Sequence, residues 1–318
     1  MAAITHRTVD VGGISLCVAE SGPADGPVVL MLHGFPESSH SWRHQLSALA
    51  AAGYHGVAPD QRGYGESGAP QAIAAYTILH LVGDALGVLD AVGAQRAIVV
   101  GHDWGAPVAW HAALLRPDRI RGVLALSVPL ERRPKRPPTE ALGRRFGSRH
   151  YLLHFQEPGV ADAELGADPR ATLRRMFTAT SGAGSPAAPM VTGGFLASAP
   201  EPDRLPEWLT EEDLDAYTAV FAAGGFTGGL NWYRNLDRNW ELTAPWRDAR
   251  VTPPARYLAG EHDLVVGGRS AEQLAAGMGD TVADLRGVTL LRGCGHWTQQ
   301  ERPDEVNSAL LEFAASLS

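Results

Sequence analysis

The sequence predicts an α/β fold: a mostly parallel sheet with helices on both faces, interrupted once by a long helical insertion. Strand-like apolar runs alternate with helical patterns over the first third of the chain. Residues 132–245 then lack strand runs and are rich in Pro, Gly and Trp, and the alternation resumes near residue 256. Strands are predicted over 6–11 and 14–19, joined at Gly12-Gly13 as a hairpin. Val28-Val29-Leu30-Met31-Leu32 is a continuous apolar run, the pattern of a strand buried on both faces. Residues 42–52 read as a helix stopped by Gly53, and 55–59 as the next strand. Ile78, Leu81, Ala85, Leu89 and Val92 recur at steps of three and four, so 76–93 reads as an amphipathic helix. A strand over 97–100, a helix over 104–115 and a strand over 120–128 follow. Inside the insertion, Thr210 and Asp213 have the spacing of a capping box opening a helix to about Phe221. The return to the core is predicted as strand 256–259, helix 271–278, strand 288–292 and a closing helix 306–316. The predicted divisions are a core part at 1–131, a helical insertion at 132–245 and a second core part at 246–318.

Composition removes several classes of function. Acidic residues (35) outnumber basic ones (27) for a net charge of −8, which argues against nucleic acid as the main partner. No apolar stretch approaches the ~20 residues of a spanning helix, and the opening residues, Met1 to Arg7, carry no apolar signal segment. Membrane association is therefore not expected. Two cysteines, Cys17 and Cys294, make no disulfide framework, so the cytoplasm is the expected compartment. There is no His-Glu-x-x-His and no Cys/His cluster with zinc spacing, so neither a metal nor another cofactor is expected.

Two motifs read as structural. Gly63-Tyr64-Gly65-Glu66-Ser67-Gly68 matches a dinucleotide-loop pattern, but Ala69-Pro70 follows it and no helix opens on it. Arg132, Arg133, Lys135 and Arg136 form a basic run broken by Pro134, Pro137 and Pro138, which reads as a solvated hinge into the insertion.

The chemistry concentrates at the predicted strand ends. Gly101-His102-Asp103-Trp104-Gly105 stands between strand and helix with small residues flanking a central nucleophile. The usual centre is serine; here it is Asp103. A carboxylate that attacks saturated carbon forms an ester, which water can cleave at the carbonyl to regenerate the acid. A serine would form an ether, a dead end. Asp103 therefore points to displacement at an alkyl carbon. The backbone N–H groups of Phe35, in His33-Gly34-Phe35-Pro36, and of Trp104 are positioned to bind the oxyanion of ester cleavage. His33 itself reads as a loop brace. His296, in Gly293-Cys294-Gly295-His296-Trp297 after the last strand, is the candidate general base. Asp263 is the candidate acid orienting it, with Glu131 and then Glu261 as alternatives.

HGFP at 33–36, GHDWG at 101–105, EHD at 261–263 and GCGHW at 293–297 together resemble an epoxide hydrolase of the α/β-hydrolase fold. The insertion adds two segments similar to that family's lid tyrosine segments: residues 150–159 (HYLLHFQEPG) and 231–235 (NWYRN). The resemblance covers essentially the whole chain. It implies an α/β-hydrolase core with a helical lid after the sixth strand, and an apolar epoxide hydrolysed to a vicinal diol through an ester on Asp103. It also implies that Tyr151 and Tyr233 hold the epoxide oxygen, since phenols with pKa near 10 keep a proton to donate at neutral pH. Phe35, Trp104 and Trp232 are expected to wall the substrate pocket, and the segment 180–199 to set its size. The alternative is a haloalkane or haloacid dehalogenase of the same fold. Haloalkane dehalogenases usually carry Asn where Phe35 stands, and fluoroacetate dehalogenases Arg where Trp104 stands. A serine esterase lacks its serine here, and a catalytically dead binding module would have a broken triad.

Overall fold

A computed structural model describes residues 3–182, 191, 193–199 and 201–317. Within the segment 180–199, residues 183–190 and 192 lie outside the described residues. So do the first two residues of the N-terminal reading. In chain order the core carries β1 (Thr5–Asp10), β2 (Ser15–Ser21), β3 (Val28–Leu32), α1 (Arg43–Ala51), β4 (His55–Pro59), α2 (Ile78–Ala91), β5 (Ala97–His102), α3 (Gly105–Leu115) and β6 (Ile120–Leu126). The insertion follows with α4 (Pro138–Phe146), α5 (Tyr151–His154), α6 (Val160–Gly166), α7 (Pro169–Ala179), α8 (Glu211–Gly224), α9 (Thr227–Arg234) and α10 (Leu236–Leu242). The chain returns through β7 (Ala255–Gly260), α11 (Ala271–Met278), β8 (Leu285–Leu291), α12 (Thr298–Glu301) and α13 (Pro303–Ala315).

The eight strands form one sheet in the order β1-β2-β4-β3-β5-β6-β7-β8. β1 and β2 join antiparallel, and every pairing from β4 to β8 is parallel. The apolar runs of β3 and β5 are buried throughout, because helices cover both faces. α2, α3 and α11 share one apolar layer, and α1 and α13 the other. The predicted α/β class is therefore the one observed.

The differences are local. β6 stops at Leu126 because Ser127 turns into positive φ (71°), ending the ladder two residues early. β8 begins at Leu285, earlier than expected; it is a half-exposed edge strand without a continuous apolar signature. α12 is a single turn that leaves no periodicity to read. The glycine loop closes on itself, with the Gly63 N–H donating to the Gly68 carbonyl (3.0 Å), and no helix opens there. The capping box forms as expected: Thr210 Oγ accepts from the Asp213 N–H (3.1 Å) and Asp213 accepts from the Thr210 N–H (3.3 Å). α8 runs past Phe221 to Gly224.

Between β6 and β7 the described residues form helices and no strand. The insertion is tied to the core through Asn239, which accepts from the Ile78 N–H (2.8 Å), and Asn235, which donates to the Ile73 carbonyl (2.7 Å). Its aromatic residues Phe155, Phe177 and Tyr217 belong to the same apolar layer as α2 and α3.

Candidate active site

The parallel strands end on one side of the sheet, where loops from separate strands converge. The turn from β5 into α3 is the tightest of these. A Cβ on Gly105 would stand 1.9 Å from the Leu32 carbonyl oxygen, and one on Gly101 would stand 2.2 Å from the Gly105 carbonyl oxygen. Glycine at both positions lets β3, β5 and α3 approach closely. The turn puts Asp103 at φ 49°, a left-handed conformation costly for a residue other than glycine. Held this way, its carboxylate meets groups from three other loops.

Asp103 Oδ1 accepts the Phe35 N–H at 2.8 Å, and the Trp104 N–H also bonds to this carboxylate. His296 Nε2 lies 3.6 Å from Asp103 Oδ2, and His296 Nδ1–H donates to Asp263 Oδ1 at 3.0 Å. Ser127 Oγ lies 3.2 Å from the same nitrogen. Glu131 instead pairs with Arg269, and Glu261 accepts the exposed Gly293 N–H (3.1 Å). Of the three candidate acids, Asp263 alone reaches His296. His33 braces the loop as expected: its Nε2 accepts the Gln61 N–H (3.0 Å) and its Nδ1–H donates to the Gly34 carbonyl (2.9 Å).

Burial opposes charge on every member of this group. At His296 burial acts to lower the pKa, but the carboxylates of Asp263 and Asp103 outweigh it and push the imidazole up to about 9. At Asp103 burial raises the carboxyl pKa, opposed by His296, His102 and the two N–H donors. Asp263 stays below the usual carboxylate range, because His296 outweighs its burial.

A second layer lies beneath. Glu37 is fully buried and accepts four hydrogen bonds: from the Gly34 N–H (2.9 Å), His102 Nδ1–H (2.7 Å), Gln299 Nε2 (2.8 Å) and Gln300 Nε2 (3.1 Å). His102 Nε2 stands 2.7 Å from the His296 carbonyl, so this ring bridges Glu37 to the backbone of His296. Sequence reasoning gave Glu37, Ser127, Gln299 and Gln300 no role. No local pattern marks them: Glu37 looks like any acid in a short loop between a buried strand and a helix.

The tyrosines face this floor from the insertion. Tyr151 opens α5 and Tyr233 sits in α9, with ring centroids 6.5 Å apart. Their segments are stitched together. Arg234 donates to the Phe155 carbonyl (3.2 Å) and pairs with Asp162, and Gln156 Nε2 donates to the carbonyls of Leu152 (2.7 Å) and Tyr233 (3.0 Å). The Trp104 side chain bonds to the Tyr233 hydroxyl. Burial, and then the charge of Asp103, raises both phenol pKa values, so both keep their protons.

Asp103, Trp104, Tyr151 and Tyr233 line a cavity of about 560 Å³. Two of the expected wall residues stand elsewhere. Trp232 is wholly buried with its indole N–H on the Arg62 carbonyl (3.2 Å), and Phe35 is 3% exposed, packed edge-on against Tyr233. Both support the wall from behind; only Trp104 of the three faces the cavity. Among the described residues no group of His, Cys, Asp and Glu has the arrangement of a metal site.

The α/β-hydrolase-fold family matches residues 27–152. Full-length relatives are more specific. Epoxide hydrolase A of Mycobacterium tuberculosis is 50% identical over 100% of this chain and 99% of its own, and epoxide hydrolase 1 of Siraitia grosvenorii is 42% identical over 98% and 99%. The solved epoxide hydrolase A of Mycobacterium thermoresistibile superposes with a TM-score of 0.91 at 50% identity, covering 98% of each chain. An epoxide hydrolase from an endophytic Streptomyces superposes with a TM-score of 0.94 at 43% identity, covering 99% of this chain and 96% of its own.

Proposed function

The chain belongs to the epoxide hydrolases of the α/β-hydrolase fold, which convert an epoxide and water to a vicinal diol, and from that premise we infer the part each residue plays. Asp103 Oδ1 is engaged by the Phe35 N–H, so Oδ2, the oxygen nearer His296, is the attacking one. It bonds to an oxirane carbon as that carbon's bond to the ring oxygen breaks. Tyr151 and Tyr233, on a lid formed by the insertion, hold the departing oxygen, and one of them gives it a proton. In the second step His296, oriented by Asp263, takes a proton from water, and the resulting hydroxide attacks the Asp103 carbonyl carbon. The negative charge then falls on Oδ1, which already accepts the Phe35 N–H, and the Trp104 N–H bonds to the same carboxyl group. The Cγ–O bond to the alkyl group breaks, the leaving oxygen takes the proton from His296, and the proton on the new carboxyl returns to the tyrosinate.

The observation that carries this reading is a carboxylate, held at φ 49° on the elbow, opposite two buried phenols. A halide leaves without needing a proton, so the phenols disfavour the dehalogenase reading. Cys17 and Cys294, both buried free thiols, support a cytoplasmic setting.

A single turnover of styrene oxide in ¹⁸O-water tests the scheme. The diol is expected unlabelled and the label in the Asp103 carboxylate; label in the first equivalent of diol would mean direct attack by water. Tyr151→Phe and Tyr233→Phe are each expected to slow ester formation by about 10–100-fold, and the double variant further. Rapid-quench measurement of the alkylated enzyme reads that step directly.

The mechanism also sets a pH dependence. In the resting site two carboxylates hold the His296 proton up to about 9. Esterification removes the Asp103 charge, so the imidazole pKa falls and the base is freed when it is needed. Ester hydrolysis is thus expected to rise with pH through a midpoint below 9, measured on preformed alkyl-enzyme. A midpoint at or above 9 would contradict this coupling.

A further inference from the structure

A second residue shares the backbone strain of the elbow. Among the described residues, Asp103 and Ser127 are the two non-glycine residues at positive φ, at 49° and 71°. Ser127 follows β6 at the centre of a γ-turn, in which the Val128 N–H donates to the Leu126 carbonyl (2.9 Å). A γ-turn at positive φ is the rarer and costlier form. β7 holds the residue in it. The Ser127 N–H donates to the Leu258 carbonyl (3.0 Å), and its own carbonyl accepts the Tyr257 hydroxyl (2.6 Å). Glycine takes such a conformation without steric cost, yet the chain has a serine here, wholly buried.

The strained turn directs one hydroxyl. Ser127 Oγ stands 3.2 Å from His296 Nδ1, and that nitrogen already gives its proton to Asp263 Oδ1 (3.0 Å). A ring nitrogen that carries a proton has no lone pair to offer, so the Ser127 hydroxyl cannot donate to it. The hydroxyl proton goes to the carboxylate instead, where Ser127 makes a side-chain hydrogen bond to Asp263. Asp263 is otherwise short of donors. Its Oδ1 takes the Val265 N–H (2.9 Å) beside that of His296, whereas no other donor among the described residues is directed at the buried Oδ2. Each turn of the ring of His296 therefore depends on a carboxylate that Ser127 helps to hold.

We propose that Ser127 is a positioning residue for ester hydrolysis, a role that rests on the two-step mechanism above: its hydroxyl donates to Asp263 and, through that carboxylate, keeps the His296 ring aimed at the hydrolytic water. Ester formation does not use His296 as a base, so Ser127 acts on the second step alone. The strain at φ 71° is retained because a hydroxyl is needed at this point, and glycine, which relieves the strain, has none.

Two variants separate strain from function. Ser127→Gly removes the hydroxyl and relieves the backbone, so its Tm is expected close to that of wild type. Ser127→Ala removes the hydroxyl and keeps the strain. Excess enzyme is mixed with styrene oxide, and rapid-quench mass spectrometry follows the ester on Asp103 as it forms and decays. In both variants formation is expected at the wild-type rate and decay about tenfold slower. The pH midpoint of decay is expected to rise, because without the Ser127 bond the Asp263 charge is less dispersed and holds the His296 proton more firmly. If Ser127 only ends the strand, Ser127→Gly cleaves its ester at the wild-type rate and midpoint, and the proposal is overturned. Slowing of formation and decay in equal proportion overturns it too, as the mark of a general loss of packing. If wild type forms no ester on Asp103, the two-step reading fails and takes the proposal with it, whereas normal ester chemistry in both variants removes only the role of Ser127.

Discussion

Asp103→Ala is expected to lower diol formation from styrene oxide by about 10⁴-fold or more, the scale seen when a covalent nucleophile is removed. No nearby group can take its place. Asp263 is fully buried and turned onto His296, and Glu37 is saturated with four donors. Asp103 already bears the backbone cost of φ 49°, and alanine bears a similar one, so the loss of activity is expected without a comparable loss of Tm. Retention of more than a few percent of wild-type turnover in a folded variant would require another nucleophile.

His296→Gln separates the two steps. Asp103 keeps its N–H donors and the phenols keep their protons, so ester formation continues while ester hydrolysis slows by about 10³-fold or more. One equivalent of epoxide is consumed in a burst, and turnover then stops. Intact-protein mass spectrometry should find the chain heavier by one epoxide, with the addition on Asp103. Steady multiple turnover without that adduct would mean that His296 is not the base.

How much of this was legible in the sequence varied with the range of the interactions. β3 was readable to the residue, because a strand covered on both faces has an uninterrupted apolar composition, and β4 (His55–Pro59) also has the expected bounds. The elbow was readable because two glycines are required within five residues by direct backbone contact. His296 and Asp263 followed from their positions after the last strands. Glu37 was not readable, since three of its four partners lie 65, 262 and 263 residues away, and nothing local distinguishes it from a loop acid. Trp232 and Phe35 were given to the pocket because aromatic residues next to site residues suit an apolar wall. Which face of a helix or loop meets the cavity depends on packing between distant segments, and there Trp232 is turned towards Arg62. The tyrosines were recognisable by resemblance alone. Their pairing depends on Arg234 and Gln156 reaching across more than 70 residues.

The insertion leaves from the end of β6 and returns at β7, and those two strands are direct neighbours in the sheet. Topologically, everything from 127 to 254 is one long connection between adjacent parallel strands. Its length and composition can therefore drift without moving a strand out of register or disturbing the loops that hold Asp103, Asp263 and His296. The displacement machinery is held by the sheet, while the roof over it is a single insertion that no strand needs for its register. A transplanted roof is constrained in one respect, since it has to bring both phenols with it.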